Sequence, residues 1–306
     1  MAGILVYSEK TNLAAELITA AQILGAGAVQ AVAINDSAQA ETLAAAGAAV
    51  YTIENSALIP ADVAATAAAL QAAAEKLGCD TILLASDRRG KELAGRLAQA
   101  MGAGCLTDIS ALQVNSSQIE CQRNALGGAT VAAQVISAAK KVIAIRPRTF
   151  PPASAGSGSV QSLDVEVKTS PVKLLESRPK AGDTVDIEAA ETLVVVGQGL
   201  NSQDDLAPVQ ELARKLGGEV ACSKPVATDK KWLSEERIIG LSGKKCKPEL
   251  AIILGISGQV QFTVGIRDAR VIVAVNSDEN ATINQMSDYI LTADLHDIVK
   301  EMNEKL

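Results

Sequence analysis

The chain has 306 residues, 48% hydrophobic and 21% charged, which is apolar material enough for two domains at about 100–200 residues each. A net charge of −7 serves solubility and argues against nucleic acid or an anionic membrane as partner. One histidine and 2% aromatic residues exclude histidine-based zinc sites, a conventional catalytic triad and a base-stacking platform.

Short apolar runs alternate with alanine-rich amphipathic stretches through the first third. Strands are expected at residues 3–7 (GILVY), 29–34, 50–53 and 81–85 (TILLA), and helices at 12–24, 38–46, 62–77 and 91–101. Strands that are apolar throughout, each followed by a helix, signal a parallel sheet covered on both faces. Alanine suits such helices because it loses no side-chain entropy and packs closely.

After Asp108 the helices stop. Residues 109–114, 119–123, 130–136 and 141–145 read as strands joined by turns such as Asn115-Ser116-Ser117 and Gly127-Gly128, an antiparallel extension of the first domain. From Phe150 to about Asp186 the composition is that of loops, with one alternating strand at 163–168 and an exposed connector, ESRPKAGDTVD. This divides the chain into domains of residues 1–185 and 186–306.

The second domain returns to the α/β pattern. Strands are expected at 191–196 (ETLVVV), 219–222, 250–254 (LAIIL) and 271–275 (VIVAV), with helices at about 204–216 and 295–306. Asn201, Ser202 and Asp204 are candidate caps for the first of these helices. Overall the chain reads as α/β, two mostly parallel doubly wound sheets. Five scattered cysteines with no paired spacing read as thiols of a reducing compartment. No run approaches the roughly 18 apolar residues of a membrane span, and the opening residues lack a signal-peptide pattern, so a cytoplasmic location is expected.

In open α/β sheets ligands bind beyond the carboxyl ends of the strands. Three polar loops follow strands there: Gly197-Gln198-Gly199, residues 255–261 (GISGQVQ) and Asn276-Ser277-Asp278. Glycines at 255 and 258 let backbone N–H groups approach an anion, and the start of a following helix would favour negative charge, which suits a pyrophosphate. Asn276 and Asp278 equally fit an Asx-turn and cap with no ligand. The spacing is not the G-x-G-x-x-G of nicotinamide sites.

These residues carry a resemblance. VVVGQGL, ACSKPVATD, IIGLSGKKCKPEL, GISGQVQFTVG, VIVAVNSDENATINQMSDYIL and DLHDIV, in that order, resemble the FAD-binding domain of the electron-transfer flavoprotein alpha subunit. The N-terminal half is similar more loosely, in its opening strand, DRRGKELAGRLA, TDIS and RPRTF. CSKP…KKWLSEERIIGLSG looks most like paralogues of anaerobic carnitine and acyl-CoA metabolism. The resemblance implies a heterodimer with a beta subunit. It implies bound FAD, and electron transfer between acyl-CoA dehydrogenases and a second redox protein, with no substrate chemistry of the chain's own. The alternative is a structural paralogue that keeps fold and partner but holds FAD weakly or not at all.

Carried over by position, Gly255, Ser257, Gly258 and Gln261 match pyrophosphate and ribityl contacts. Asn276 and Asp278 match the adenosine side, Asp288 the residue near adenine, and Gly240, Ser242 and Gly243 the loop beside the flavin ring. Ser223 matches the serine of a Ser-Arg pair. The departures are Gln198 and Lys224 where the family has arginine, Leu241 for glutamine, Ser277 for lysine, and Phe262 for histidine. Lys224 keeps a charge but not the planar fork. With Phe262 it implies a less favourable anionic flavin and a lowered potential. His296 is expected outside this site, in the terminal helix.

Overall fold

The computed structural model describes residues 3–25, 27–59, 61–115, 118–128, 130–167, 172–176 and 185–306. The turn expected at 115–117 and most of the connector at 176–186 fall partly or wholly outside them. The chain divides into two compact units, residues 1–177 and 178–306.

In the first unit β1 (Gly3–Tyr7), α1 (Thr11–Ile23), β2 (Gln30–Ile34), α2 (Ser37–Ala45), β3 (Ala49–Ile53), α3 (Val63–Leu77), β4 (Cys79–Ala85) and α4 (Arg88–Met101) follow the expected alternation. The period-two geometry of a strand explains the double layer. Ile4 and Val6 of β1 face the core built with α1 and α2, through Leu17, Ile18 and Leu43. Leu5 and Tyr7 face the opposite core, with Leu70 of α3 and Leu93 and Leu97 of α4. Each such fully buried aliphatic side chain contributes about 1.5–3 kcal/mol.

Helix α3 is capped by Asp62, whose buried carboxylate accepts from the backbone N–H of Ala64 and of Ala65, both at 3.0 Å. Asp62→Ala leaves both donors open and should lower the unfolding free energy by about 1–2 kcal/mol, read as a shifted urea midpoint at unchanged slope. In the DRRGK run Asp87 plays the same part for α4, accepting from Gly90 N–H at 2.8 Å.

The sheet then continues through β5 (Gly104–Asn115), β6 (Gln118–Ala125), β7 (Thr130–Val135), β8 (Lys141–Ile145) and β9 (Ser159–Ser162), in the order β7-β6-β5-β8-β4-β1-β2-β3-β9. Only β5-β6-β7 is antiparallel. The expectation of four antiparallel strands is corrected at β8, which inserts between β4 and β5 and is parallel to both. Its sequence, KVIAI, is buried through Val142, Ile143 and Ala144 on both faces, as an interior parallel strand must be. The strand expected at 163–168 is also corrected. The edge strand is β9, paired parallel with β3 and closed by the bond from Leu163 N–H to Thr52 O at 2.8 Å, while Val165 and Val167 pack on the core beyond it.

The second unit contains β10 (Thr192–Val196), α5 (Leu206–Lys215), β11 (Glu219–Cys222), α6 (Lys224–Thr228), β12 (Leu250–Leu254), α7 (Val260–Thr263), β13 (Val271–Asn276), β14 (Tyr289–Thr292) and α8 (Leu295–Lys305). Its five strands are all parallel, ordered β11-β10-β12-β13-β14. Val194 and Val196 face the core under α5 and α8, while Leu193 and Val195 face one built on Ile239, Ile256, Phe262 and Ile283. Trp232 packs beside the first of these cores, with the Lys230 ammonium 4.1 Å from its ring centre. Among the described residues no helix is long and apolar enough to cross a membrane.

Candidate functional site

A cleft of about 740 Å³ runs across the carboxyl ends of the C-terminal sheet. Its walls come from the segment after every one of the five strands. Ser223 and Lys224 follow β11, Gln198 and Gly199 follow β10, and Ser257, Gln261 and Phe262 follow β12. Asn276 ends β13 and Asp278 follows it, and Asp294 and His296 follow β14. Gly240 and Ser242 complete it from the loop before β12.

The loops come this close because glycines cross. Gly199 N–H donates to Gly255 O at 3.1 Å, and a Cβ on Gly199 would stand 2.7 Å from the Gly255 Cα. Gly258 has φ of +92°, and a Cβ there would lie 2.2 Å from the backbone nitrogen of Ile283. No other residue fits that approach. Ile283 N–H in turn donates to Ser257 O at 3.0 Å, which pins the loop from below.

What this loop presents upward is a run of amides. Among the described residues the backbone N–H groups of Ser257, Gly258, Gln259, Val260 and Gln261 donate to no protein acceptor. Successive open amides on a tight turn form an anion-binding concavity. The expected helix behind them is corrected to the single turn of α7, four residues long, so the amides rather than a helix dipole carry the attraction.

The Asx-turn reading of Asn276 is what the structure contains. Its Nδ2 donates to Ile256 O at 2.9 Å, and its Oδ1 accepts from Asp278 N–H at 3.0 Å. Asn276 thus ties the β13 loop to the glycine loop while lining the cleft. Asp278 Oδ1 accepts from Asn280 N–H at 2.9 Å. On the facing side Leu241 N–H donates to Gln261 O at 2.7 Å, and Gly243 N–H to Gly240 O at 3.2 Å.

Of the residues singled out in the sequence, Gln198, Ser223, Lys224, Gly240, Ser242, Gly255, Ser257, Gln261, Phe262, Asn276 and Asp278 converge on the cleft. Gly258 and Gly243 shape its loops from behind, and Leu241 is 66% exposed beside it. Asp288 is not brought there. Its carboxylate accepts from Ile272 N–H at 2.8 Å, at the amino ends of β13 and β14 and so at the opposite edge of the sheet from the cleft.

The segment after β14 was not expected in the site. Asp294, Leu295 and His296 line the cleft because β14 exists, although Tyr289–Thr292 is exposed on both faces and carries no alternating pattern. The rule that ligands lie beyond strand ends would have found them had YILT been taken as a strand. His296 is therefore part of the cleft wall, which corrects its expected position. Its Nδ1 lies 2.8 Å from Asp294 Oδ1, and its Nε2 3.2 Å from Asp205 Oδ2. The second contact is a charge contact rather than an aligned hydrogen bond. Partial burial pulls the ring's pKa down, but the bond to Asp294 and the contact with Asp205 outweigh it and hold it above the ordinary value. Asp205 is held below the usual carboxylate range, first by the Ser202 N–H at 2.8 Å and then by His296.

An all-parallel sheet with a cleft across its carboxyl ends, crossing glycines and open amides define a cofactor-binding α/β domain of nucleotide type. Residues 186–267 match the electron transfer flavoprotein FAD-binding domain, and residues 5–168 the electron transfer flavoprotein domain. The chain belongs to the electron-transfer flavoprotein alpha-subunit family, and its C-terminal domain is that family's FAD-binding domain. It is 36% identical over 228 residues to YdiR of Escherichia coli K12, named for an electron transfer flavoprotein subunit, covering 74% of this chain and 73% of that one. It is 29% identical over 307 residues to the protein FixB of Escherichia coli O17:K52:H18, covering 98% and 97%. Against FixB of Escherichia coli O127:H6 it is 32% identical over 228 residues, covering 74% and 73%. The cleft fits the cofactor: its volume falls within the roughly 300–1,000 Å³ of small-molecule sites, and the amide run suits a pyrophosphate.

Proposed function

We propose that the cleft across the C-terminal sheet is where FAD sits, and that the chain carries electrons from an acyl-CoA dehydrogenase-type donor to a second redox protein. In this reading it works as the alpha subunit of a heterodimer with a beta subunit. The run of open amides at Ser257–Gln261 is the observation that carries the placement. Bound FAD supplies the acceptance and release of electrons.

This chain's own residues hold and shape that chemistry. The amides of residues 257–261 bind the pyrophosphate, and Asn276 keeps their loop in register with the β13 loop. Lys224 opposes the negative charge of the cofactor from the β11 side. Ser242 offers a hydroxyl from the loop beside the ring. Phe262, 7% exposed, closes the apolar wall and excludes water there.

The test is to purify the full chain with its beta subunit, record its visible spectrum, and mix it anaerobically with a substrate-reduced acyl-CoA dehydrogenase. The expected result is flavin absorbance that bleaches on mixing. A spectrum without flavin would favour the structural-paralogue reading, to which the apolar Phe262 wall lends support. Flavin that fails to bleach would reject the donor class.

A further inference from the structure

We propose that His296 is a positioning residue for FAD: its protonated ring clamps the loop after β10 to the start of α8, and FAD affinity falls when the ring loses its proton. This rests on the reading that the cleft holds FAD.

The geometry is a cross-link between two cleft walls. Asp205 accepts from the backbone N–H of Asn201 at 2.9 Å and of Ser202 at 2.8 Å, so it holds the segment that carries Gln198, Gly199 and Asn201 into the cleft. Asp294 accepts from His296 N–H at 2.8 Å and caps α8, which starts directly after the β14 wall. The imidazole stands between the two carboxylates. Without it, the β10 loop and the α8 start would face each other with like charges. Leu295 packs against both crossing glycines, its Cδ2 lying within 3.0 Å of a Cβ built on either, so a shift of the α8 start would reach Gly199 and Gly255 directly.

Charge acts in the same direction. A pyrophosphate-bearing ligand is anionic, and Asp205, Asp294 and Asp278 already place negative charge around this part of the cleft. A protonated His296 offsets two of them, whereas a neutral ring offsets neither. The charged groups acting on the ring come from both elements packed on it, Asp205 ahead of α5 and Asp294 at the α8 cap. Asp204 adjoins the first, Asp297 and Lys300 follow on α8, and Lys230 binds Leu200 O at 2.9 Å on the same loop. The ring's pKa is raised above 6.5. The clamp is therefore complete below that value and is lost as pH rises through the raised one.

FAD affinity should be measured by flavin fluorescence quenching on the full chain with its beta subunit, from about pH 5.5 to about pH 8.5. Wild-type affinity should fall by about three- to tenfold across the upper half of this range. His296→Gln should be flat at the weaker level, and His296→Lys, which keeps the charge, flat nearer the tighter one. Asp205→Asn should move the wild-type transition to lower pH. Wild-type affinity that is constant with pH, or a His296→Gln profile that follows the wild type, overturns the proposal. Absence of FAD binding at every pH would sink it together with the cleft assignment, whereas pH-independent binding sinks the proposal alone.

Discussion

Gly258→Ala should strip the protein of FAD while leaving both sheets folded. The added Cβ meets the backbone nitrogen of Ile283 at 2.2 Å, and that backbone cannot rotate out of the way as a side-chain tip could. The φ of +92° is itself unfavourable for alanine. Strain of about 1–3 kcal/mol is the least expected consequence. Relief requires the loop to lift, which breaks the bond from Ile283 N–H to Ser257 O and turns the open amides away from one another. Loss of several convergent donors to a pyrophosphate should weaken FAD by roughly a hundredfold or more. The measurement is flavin content per chain after gel filtration, beside thermal unfolding of the apoprotein. Wild-type flavin content would show that the amide run is not the pyrophosphate site.

Phe262→His carries the second large effect. Phe262 lines the cleft and is buried with Ile239, Ile256 and Ile283, so its side chain offers the cleft no hydrogen-bond donor. Reduction places negative charge on the flavin's pyrimidine end. A donor there stabilises the reduced form more than the oxidised one. One charge-assisted hydrogen bond is worth about 1.5–3 kcal/mol, equivalent to roughly 30–65 mV for a two-electron couple. The substituted protein should therefore show a potential higher by that amount in an anaerobic titration against reference dyes. Burying the imidazole among apolar groups should also cost stability, about 1–3 kcal/mol. An unchanged potential with bound flavin would mean that position 262 does not meet the ring.

Much of this is legible in the sequence. The runs GILVY, TILLA, LAIIL and VIVAV are buried strands because only interior parallel strands are apolar at every position. The loops that follow LAIIL and VIVAV, and ETLVVV in the second unit, lie in the cleft because chain direction alone puts them at one sheet edge. The failures share a cause. KVIAI names a buried strand, but not which neighbours it pairs with, and β8 joins β4 to β5 only through contacts distant in sequence. SVQS and YILT form edge strands through backbone hydrogen bonds with β3 and β13, and their side chains carry little trace of it.

Length, composition and local periodicity determined the α/β class and the glycine loops, since these depend on burial and backbone freedom residue by residue. The single histidine shows what they could not reach. Scarcity of histidine excluded metal and triad chemistry from the count alone. Its placement between Asp205 and Asp294 was decided only by the tertiary structure, because α8 folds back from β14 onto α5 and brings together residues 91 positions apart. Packing between helices so far apart in sequence is set by the whole chain, and no local pattern records it.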